Sequence, residues 1–439
     1  MSNLNTKRGA LPARRPARRS LGAGGSRFGA GGSAKRCYLD YAATTALDPR
    51  VKRAMEPFVS KTFGNPSSIH AEGAAAKKAL DETRAKVARV LEAHADEIVF
   101  TSGGTEANNL AIFGALGAVT RFNLGSGKRS NLAKPHIVTT NIEHASVLEP
   151  LRELEHRGAI EVTHVQVEPN GIVKPEKIVA AVRPNTVLVS VMYANNEIGT
   201  VQPIRKISQL ISIVKSQKSK VKSRHGKVYP LFHADACQAP LYLRCLVNAL
   251  GVDLMSLDGH KIYGPKGVGA LYVRRGTPLA PMILGGGQER GLRSTTENVP
   301  AIVGLAEALC IAVSEREKES SRIARLCDQL YSNVLKNIRI KAAVNGSMED
   351  GERLPNNLNI SLPGVDTEFL TLQLDARGIA VSTKSSCLKD EKESYVVKAL
   401  GGGRKRAAST LRFTLGRYTV KKDIDTTSKA LRQLLAARH

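Results

Sequence analysis

Short β-branched runs alternating with helical stretches predict an α/β fold, a mostly parallel sheet covered by helices on both faces, with a smaller α+β region after it. The runs EIVF, HIVTT, EVTHVQV, TVLVSVMY, YPLFHADA, VDLMSLD and GALYVRR follow one another from Glu97. Near-continuous apolar strands of this kind are buried on both faces, which parallel sheets require. Amphipathic stretches such as LEPLRELEHRG lie between them and supply the covering helices. After Thr295 the texture changes to a long helix over roughly 299–335, then NNLNISL, TLQLDARGIAV, STLRFTL and a closing helix after Lys421.

These shifts divide the 439 residues into a basic leader, 1–36, a large α/β domain, 37–295, and a linking helix with a smaller α+β domain, 296–439. The segment 37–70 is expected to belong partly to the smaller domain. The leader contains nine Lys or Arg, from Lys7 to Arg36, and no acid; it is also rich in Gly, Ala and Ser. It holds too few large apolar groups for a core, and an Arg-rich, acid-free leader is what organelle transit peptides look like, a disordered basic tail being the plainer alternative.

Composition narrows the class. Against 65 Lys+Arg stand 39 Asp+Glu, a net charge of +26, of which 26 − 9 = +17 remains outside the leader. Lys215, Lys218, Lys220, Lys222, Arg224 and Lys227 crowd one acid-free stretch, read as a solvated insertion loop. The polar run RFNLGSGKRSNLAKPH reads the same way. No Trp and 4% aromatics weigh against a reader of single strands, so no stable nucleic-acid complex is expected. No membrane helix is expected either, since the most apolar run, AIVGLAEALCIAV, is short and carries Glu307. Six scattered cysteines without a C-x-x-C pair suggest neither a metal site nor a disulfide framework. Reduced thiols in an intracellular compartment fit better.

Four constellations carry chemistry. VFTSGGTEANNLAIFGAL is a strand, a Gly turn and a helix opening near Thr105, where free amides and the helix dipole can hold a phosphate; a plain capped turn is the alternative. LFHADACQAP delivers Asp235 at a strand end, and LMSLDGHKIYGPKGVGALYV places Lys261 between two strands 26 residues later. A Schiff-base lysine and a carboxylate facing a protonated ring nitrogen are the two groups that pyridoxal phosphate needs. In NIEHASVLEP, His144 follows a strand and could stack on the ring and shuttle a proton, a satisfied core histidine being the alternative. Cys387 lies in a polar loop, VSTKSSCLKDEKESY, flanked by Lys384 and Lys389, which favour thiolate, while Asp390 and Glu391 partly oppose them. The other five cysteines sit in apolar or helical settings.

Together the blocks YLDYAATTALDPRV, TFGNPSSIH, FTSGGTEANNLAI, EHASVLEP, ANNEIGTVQPI, HADACQA, DLMSLDGHKIYGPKGVGALYVRR and GGGQERGLRSTTEN resemble the cysteine desulfurase family. These are pyridoxal-phosphate enzymes of the class V aminotransferase group, and the likeness runs on to LRFTLGRYT. It implies the type I fold of such enzymes and a homodimer. By position it makes Lys261 the covalent anchor of the cofactor and His144 the residue stacked on its ring. Asp235 would face the pyridinium nitrogen, and Asn196 and Gln238 the phenolic oxygen. Gly104, Thr105 and His260 would line the phosphate, with Thr296 reaching in from the second subunit. Asn65 and Arg412 would grip the substrate carboxylate, and Cys387 would attack the substrate sulfur, leaving alanine and a persulfide. The sulfur would then pass to an acceptor such as an iron–sulfur scaffold or to thiolated nucleosides, in the mitochondrial matrix or the cytosol.

Three departures stand out. Asp258 occupies a position where relatives place Ser or Thr, so either its carboxylate points away from the phosphate or the cofactor is held less tightly. The cysteine loop carries bulky charges and is a residue shorter before Tyr395. The chain ends at His439, without the further segment through which housekeeping bacterial and mitochondrial relatives dock the scaffold. A selenocysteine lyase is the nearest rival reading, and a non-catalytic basic binding protein on the same fold the rival from another class.

Overall fold

Seven β-branched runs do form one sheet. The computed structural model describes residues 36–125, 134–218, 229–337, 342–384 and 393–436. After β1 (Cys37–Tyr38) come the sheet strands: β2 (Ile98–Thr101), β3 (His136–Thr140), β4 (Glu161–Val165), β5 (Thr186–Met192), β6 (Leu231–Asp235), β7 (Leu254–Asp258) and β8 (Gly269–Val273). Their spatial order is β2-β8-β7-β6-β5-β3-β4. All pairs are parallel except those of β8, which runs antiparallel to both β2 and β7. Every residue of β5 and β6 is buried, as central strands covered on both faces must be.

The helices that cover the sheet begin where their caps say they should. The helices α1 (Pro49–Ser60) and α2 (Ala71–Leu91) open at Asp48 and His70, whose side chains accept from Arg50 N and Gly73 N. Next, α3 (Gly104–Gly125) follows β2 directly, and α4 (Ala145–His156) opens at His144. The expected long helix spans Val299–Asn337 and packs on α1 and α2. Among the described residues no helix is long and apolar enough to cross a membrane.

The C-terminal part carries β9 (Ala343–Val344), β10 (Asn357–Ser361), β11 (Ile379–Ala380) and β12 (Thr410–Thr414). In the antiparallel sheet β12-β10-β9, Asn359 faces Arg412. The run TLQLDARGIAV divides: its first half belongs to the helix Thr367–Asp375, capped by Asp366, and only Ile379–Ala380 pairs, in parallel with β1. One apolar cluster joins Cys37 and Leu39 to Ile323, Leu330, Leu358, Leu411, Phe413 and Leu431. Two others pack the faces of the large sheet, around Val189, Phe232 and Met255 on one side and Leu188, Leu231 and Leu254 on the other. Contacts gather the described residues from Cys37 onward into one unit.

Candidate active site

Because β8 is reversed between β2 and β7, the strands β2, β3, β5, β6 and β7 all run the same way and end along one edge of the sheet. Ligands bind at the carboxyl edge in open α/β sheets. Each of these strands hands its functional residue to a cavity of about 180 Å³. Past β2 the chain turns into α3, which offers Gly104 and Thr105; past β3 it offers His144; past β5, Asn196. Strand β6 ends on Asp235 with Gln238 just beyond, and β7 is followed by His260 and Lys261. Arg412, on β12, closes the cavity from the C-terminal sheet.

Asp235 is 7% exposed and held by neutral donors: Asn108 Nδ2 gives its hydrogen to Oδ2 at 2.8 Å and Cys237 N gives its own to Oδ1 at 3.0 Å. The same Asn108 amide donates to Ser146 Oγ at 2.8 Å, and Ser146 Oγ lies 2.8 Å from His144 Nδ1. Since Ser146 N also donates to His144 Nδ1, at 3.1 Å, that nitrogen is an acceptor and the neutral ring carries its proton on Nε2. Lys261 Nζ donates to the carbonyls of Ala42 and Ala43 at 2.8 and 2.7 Å, and Gln238 Nε2 donates to Ala42 O at 3.0 Å. Arg412, 1% exposed, donates to Asp40 Oδ1 at 2.7 Å and to Asn196 O at 2.9 Å, while its Nε has no partner. Glu143, just before His144, is wholly buried with Oε2 unpartnered, and burial pushes its carboxyl up to about 8.

Residues 37–427 match the family model described as aminotransferase class-V. A cysteine desulfurase IscS of Dictyoglomus turgidum is 42% identical over 402 residues, 91% of this chain and 95% of the relative. The chain belongs to the cysteine desulfurases of the class-V aminotransferase family. The mitochondrial cysteine desulfurase of Arthroderma benhamiae is 43% identical over 400 residues, 90% of this chain and 74% of that one. A solved NifS-like protein superposes with a TM-score of 0.80 at 35% identity, over 92% of this chain and all of its own.

Cysteine desulfurases depend on pyridoxal phosphate, and the cavity fits its pyridoxal part. Two buried polar atoms of cavity-lining residues, Asn108 Oδ1 and Arg412 Nε, have no partner among the described residues and are available to a bound group. Among the described residues Asp235 has no cation in hydrogen-bond contact, and it suits a protonated ring nitrogen. At Gly104 a Cβ would come within 2.4 Å of Cys237 Sγ, so only glycine leaves the wall open there.

Of the described residues expected in the site, nine line the cavity and two do not. Asn65 is exposed, its Oδ1 accepting from Ser67 N at 2.9 Å, and Thr296 is exposed as well. Cys387 lies outside the described residues. Asp258 does not point away: it lines the cavity. Sequence reasoning missed Asn108, Ser146 and Cys237. The spacing from Gly104 to Asn108, one helical turn, was a signal that α3 sends both to one face. Cys237, grouped by its apolar surroundings with the inert cysteines, lines the cavity two residues past Asp235. Burial, with Asp235 and Asp258 nearby, pushes its thiol well above the usual range and keeps it protonated.

Proposed function

We propose that the protein is an L-cysteine desulfurase that breaks the Cβ–S bond of cysteine, releases L-alanine and leaves the sulfur as a persulfide on Cys387. The observation that carries this reading is the convergence of Lys261, Asp235 and His144 on one cavity that Arg412 closes. Bound pyridoxal phosphate supplies an electron sink that weakens bonds at the substrate Cα. The chain's own groups do the rest. Lys261 would anchor the cofactor covalently, and its amine in the cavity would serve as the base for the substrate Cα proton. Asp235 keeps the ring nitrogen protonated, with Asn108 fixing the carboxylate's orientation. His144, on the cavity wall, would stack on the cofactor ring and holds a proton at Nε2 for transfer to the substrate. The buried Nε of Arg412 is a free donor for the substrate carboxylate. The Cys387 thiolate would attack the substrate sulfur, the S–S bond forming as Cβ–S breaks, with the bond's electrons and a proton ending on Cβ as the alanine methyl.

Gly104, Thr105 and His260 are assigned to the phosphate side, Asn196 and Gln238 to the ring oxygen, and Asn65 to the substrate carboxylate. The working unit is a homodimer in which Thr296, exposed on its loop, reaches the partner's cavity. The persulfide serves iron–sulfur cluster assembly or thiolation of tRNA. Residues 1–36 act as an import leader to the mitochondrial matrix, a reading supported by their nine cations without an acid. Fusion of 1–36 to a reporter tests it: import supports the leader, a cytosolic reporter contradicts it. The central reading is tested by incubation with L-cysteine, which gives equimolar alanine and sulfane sulfur; absence of alanine would contradict it.

A further inference from the structure

The N-terminus of α3 already holds an anion. Gly104 N, the first amide of the helix, donates to Asp258 Oδ2 at 2.8 Å. The other carboxylate oxygen accepts from His260 N at 3.1 Å and lies 3.4 Å from His260 Nε2. Asp258 is 8% exposed and borders both the main cavity and a second hollow of about 330 Å³ that opens over the start of α3. That hollow is lined by Ser102, Thr105, Glu106 and Lys266 besides Asp258 and His260. It therefore carries a second carboxylate, Glu106, which Arg293 holds at 2.7 Å.

The carboxylate is charged and tightly seated. Burial would raise its affinity for a proton, but the bonds from His260 and Gly104 and the charges of His260 and Lys261 outweigh burial and hold it below the usual range. A Cβ on Gly104 would stand 3.1 Å from Oδ2, so the turn closes around the oxygen. A helix N-terminus favours one negative group through its free amides and its dipole. Here Asp258 uses that amide and offsets that dipole. A phosphate at the same turn would meet a standing negative charge and one fewer free donor.

We propose that Asp258 is a specificity-determining residue for the cofactor: its carboxylate takes the anion position at the start of α3, so the 5′-phosphate of pyridoxal phosphate adds little to binding and the chain discriminates weakly between pyridoxal phosphate and pyridoxal. This rests on the reading of Lys261 as the covalent anchor, and the two are separable. Thr105, His260 and Lys266 still offer donors to the phosphate, which keeps the phosphorylated form a ligand without making its phosphate the main source of affinity.

The test uses the full chain stripped of cofactor and titrated with pyridoxal phosphate, pyridoxal and inorganic phosphate, with binding read by equilibrium dialysis and by thermal unfolding. Borohydride trapping followed by peptide mapping locates the anchor. In the wild type the two aldehydes bind within about tenfold of each other, and inorganic phosphate does not raise the melting temperature. In Asp258→Asn, which keeps an acceptor for Gly104 N, and in Asp258→Ser, the preference for the phosphorylated form widens by about tenfold or more and inorganic phosphate becomes stabilising. A wild-type preference above tenfold overturns the proposal without any variant, and so does a preference no larger in the variants. Failure of either aldehyde to label Lys261 would instead overturn the cofactor reading on which the proposal rests.

Discussion

The Asn108 side-chain amide, one turn into α3, donates to Asp235 Oδ2 at the end of β6 across 2.8 Å, tying a helix to a carboxylate suited to a protonated ring nitrogen. The same amide reaches Ser146 Oγ, which lies 2.8 Å from His144 Nδ1, so one residue links Asp235 to His144. Asn108→Ala removes both bonds at once. With a net bond near 1–1.5 kcal/mol, turnover should fall by about tenfold while the fold is retained. Steady-state rates with a circular dichroism control check this; unchanged turnover would show that Asp235 needs no such support.

Lys261→Ala should abolish covalent retention of the cofactor. Lys266, five residues on, is the decoy, since it borders the hollow over α3 and not the main cavity. Borohydride reduction and peptide mapping decide between them, and a label on Lys266 in the wild type would displace the assignment.

Glu143 makes the stability depend on pH. Burial raises its carboxyl to about 8 from 4.5, against the opposing bonds from Thr140 Oγ1 and Met192 N. The folded chain therefore binds a proton more readily than the unfolded one between those values. Its contribution is full below about 4.5 and is lost as pH rises through about 8. Glu143→Gln stays neutral, so its urea midpoint should change less than that of the wild type across this range. Equal slopes would contradict the protonated state.

The GGGQERG turn is fastened to α2 by a buried ion pair and to β2 by a hydrogen bond. Both guanidinium nitrogens of Arg84 reach Glu289 at 2.7 Å, and Glu289 Oε2 also accepts from Phe100 N at 3.0 Å. The side chains are 11% and 1% exposed, so water does little to compensate a broken pair. Glu289→Ala should cost about 3–5 kcal/mol, read from denaturant unfolding, and an Arg84→Met, Glu289→Leu double variant should recover much of it.

Much of this was legible in the chain. The strands around Val189, Phe232 and Met255 are read from β-branched runs because burial on both faces leaves no room for polar alternation. Lys261, Asp235 and His144 follow strands directly, so strand direction alone sends them to one edge. Asn108 was legible only as one helical turn from Gly104; Ser146 and Cys237 were not legible, because their roles depend on which strands are neighbours. Sequence order does not say that β8 inserts between β2 and β7 and brings Gly104 beside Asp258. The helix Thr367–Asp375 was obscured because TLQLD alternates like a strand; Asp366, accepting from Phe369 N at 2.9 Å, caps it as a helix.

The most direct test of the whole account is single-turnover reaction of the cofactor-loaded full chain with L-cysteine, with alanine and protein-bound sulfane sulfur measured together, in the wild type and in Cys387→Ser. The account predicts equimolar alanine and persulfide in the wild type, and in the variant an intact cofactor spectrum with neither product. Wild-type alanine release by the variant, or none from the wild type, would contradict it.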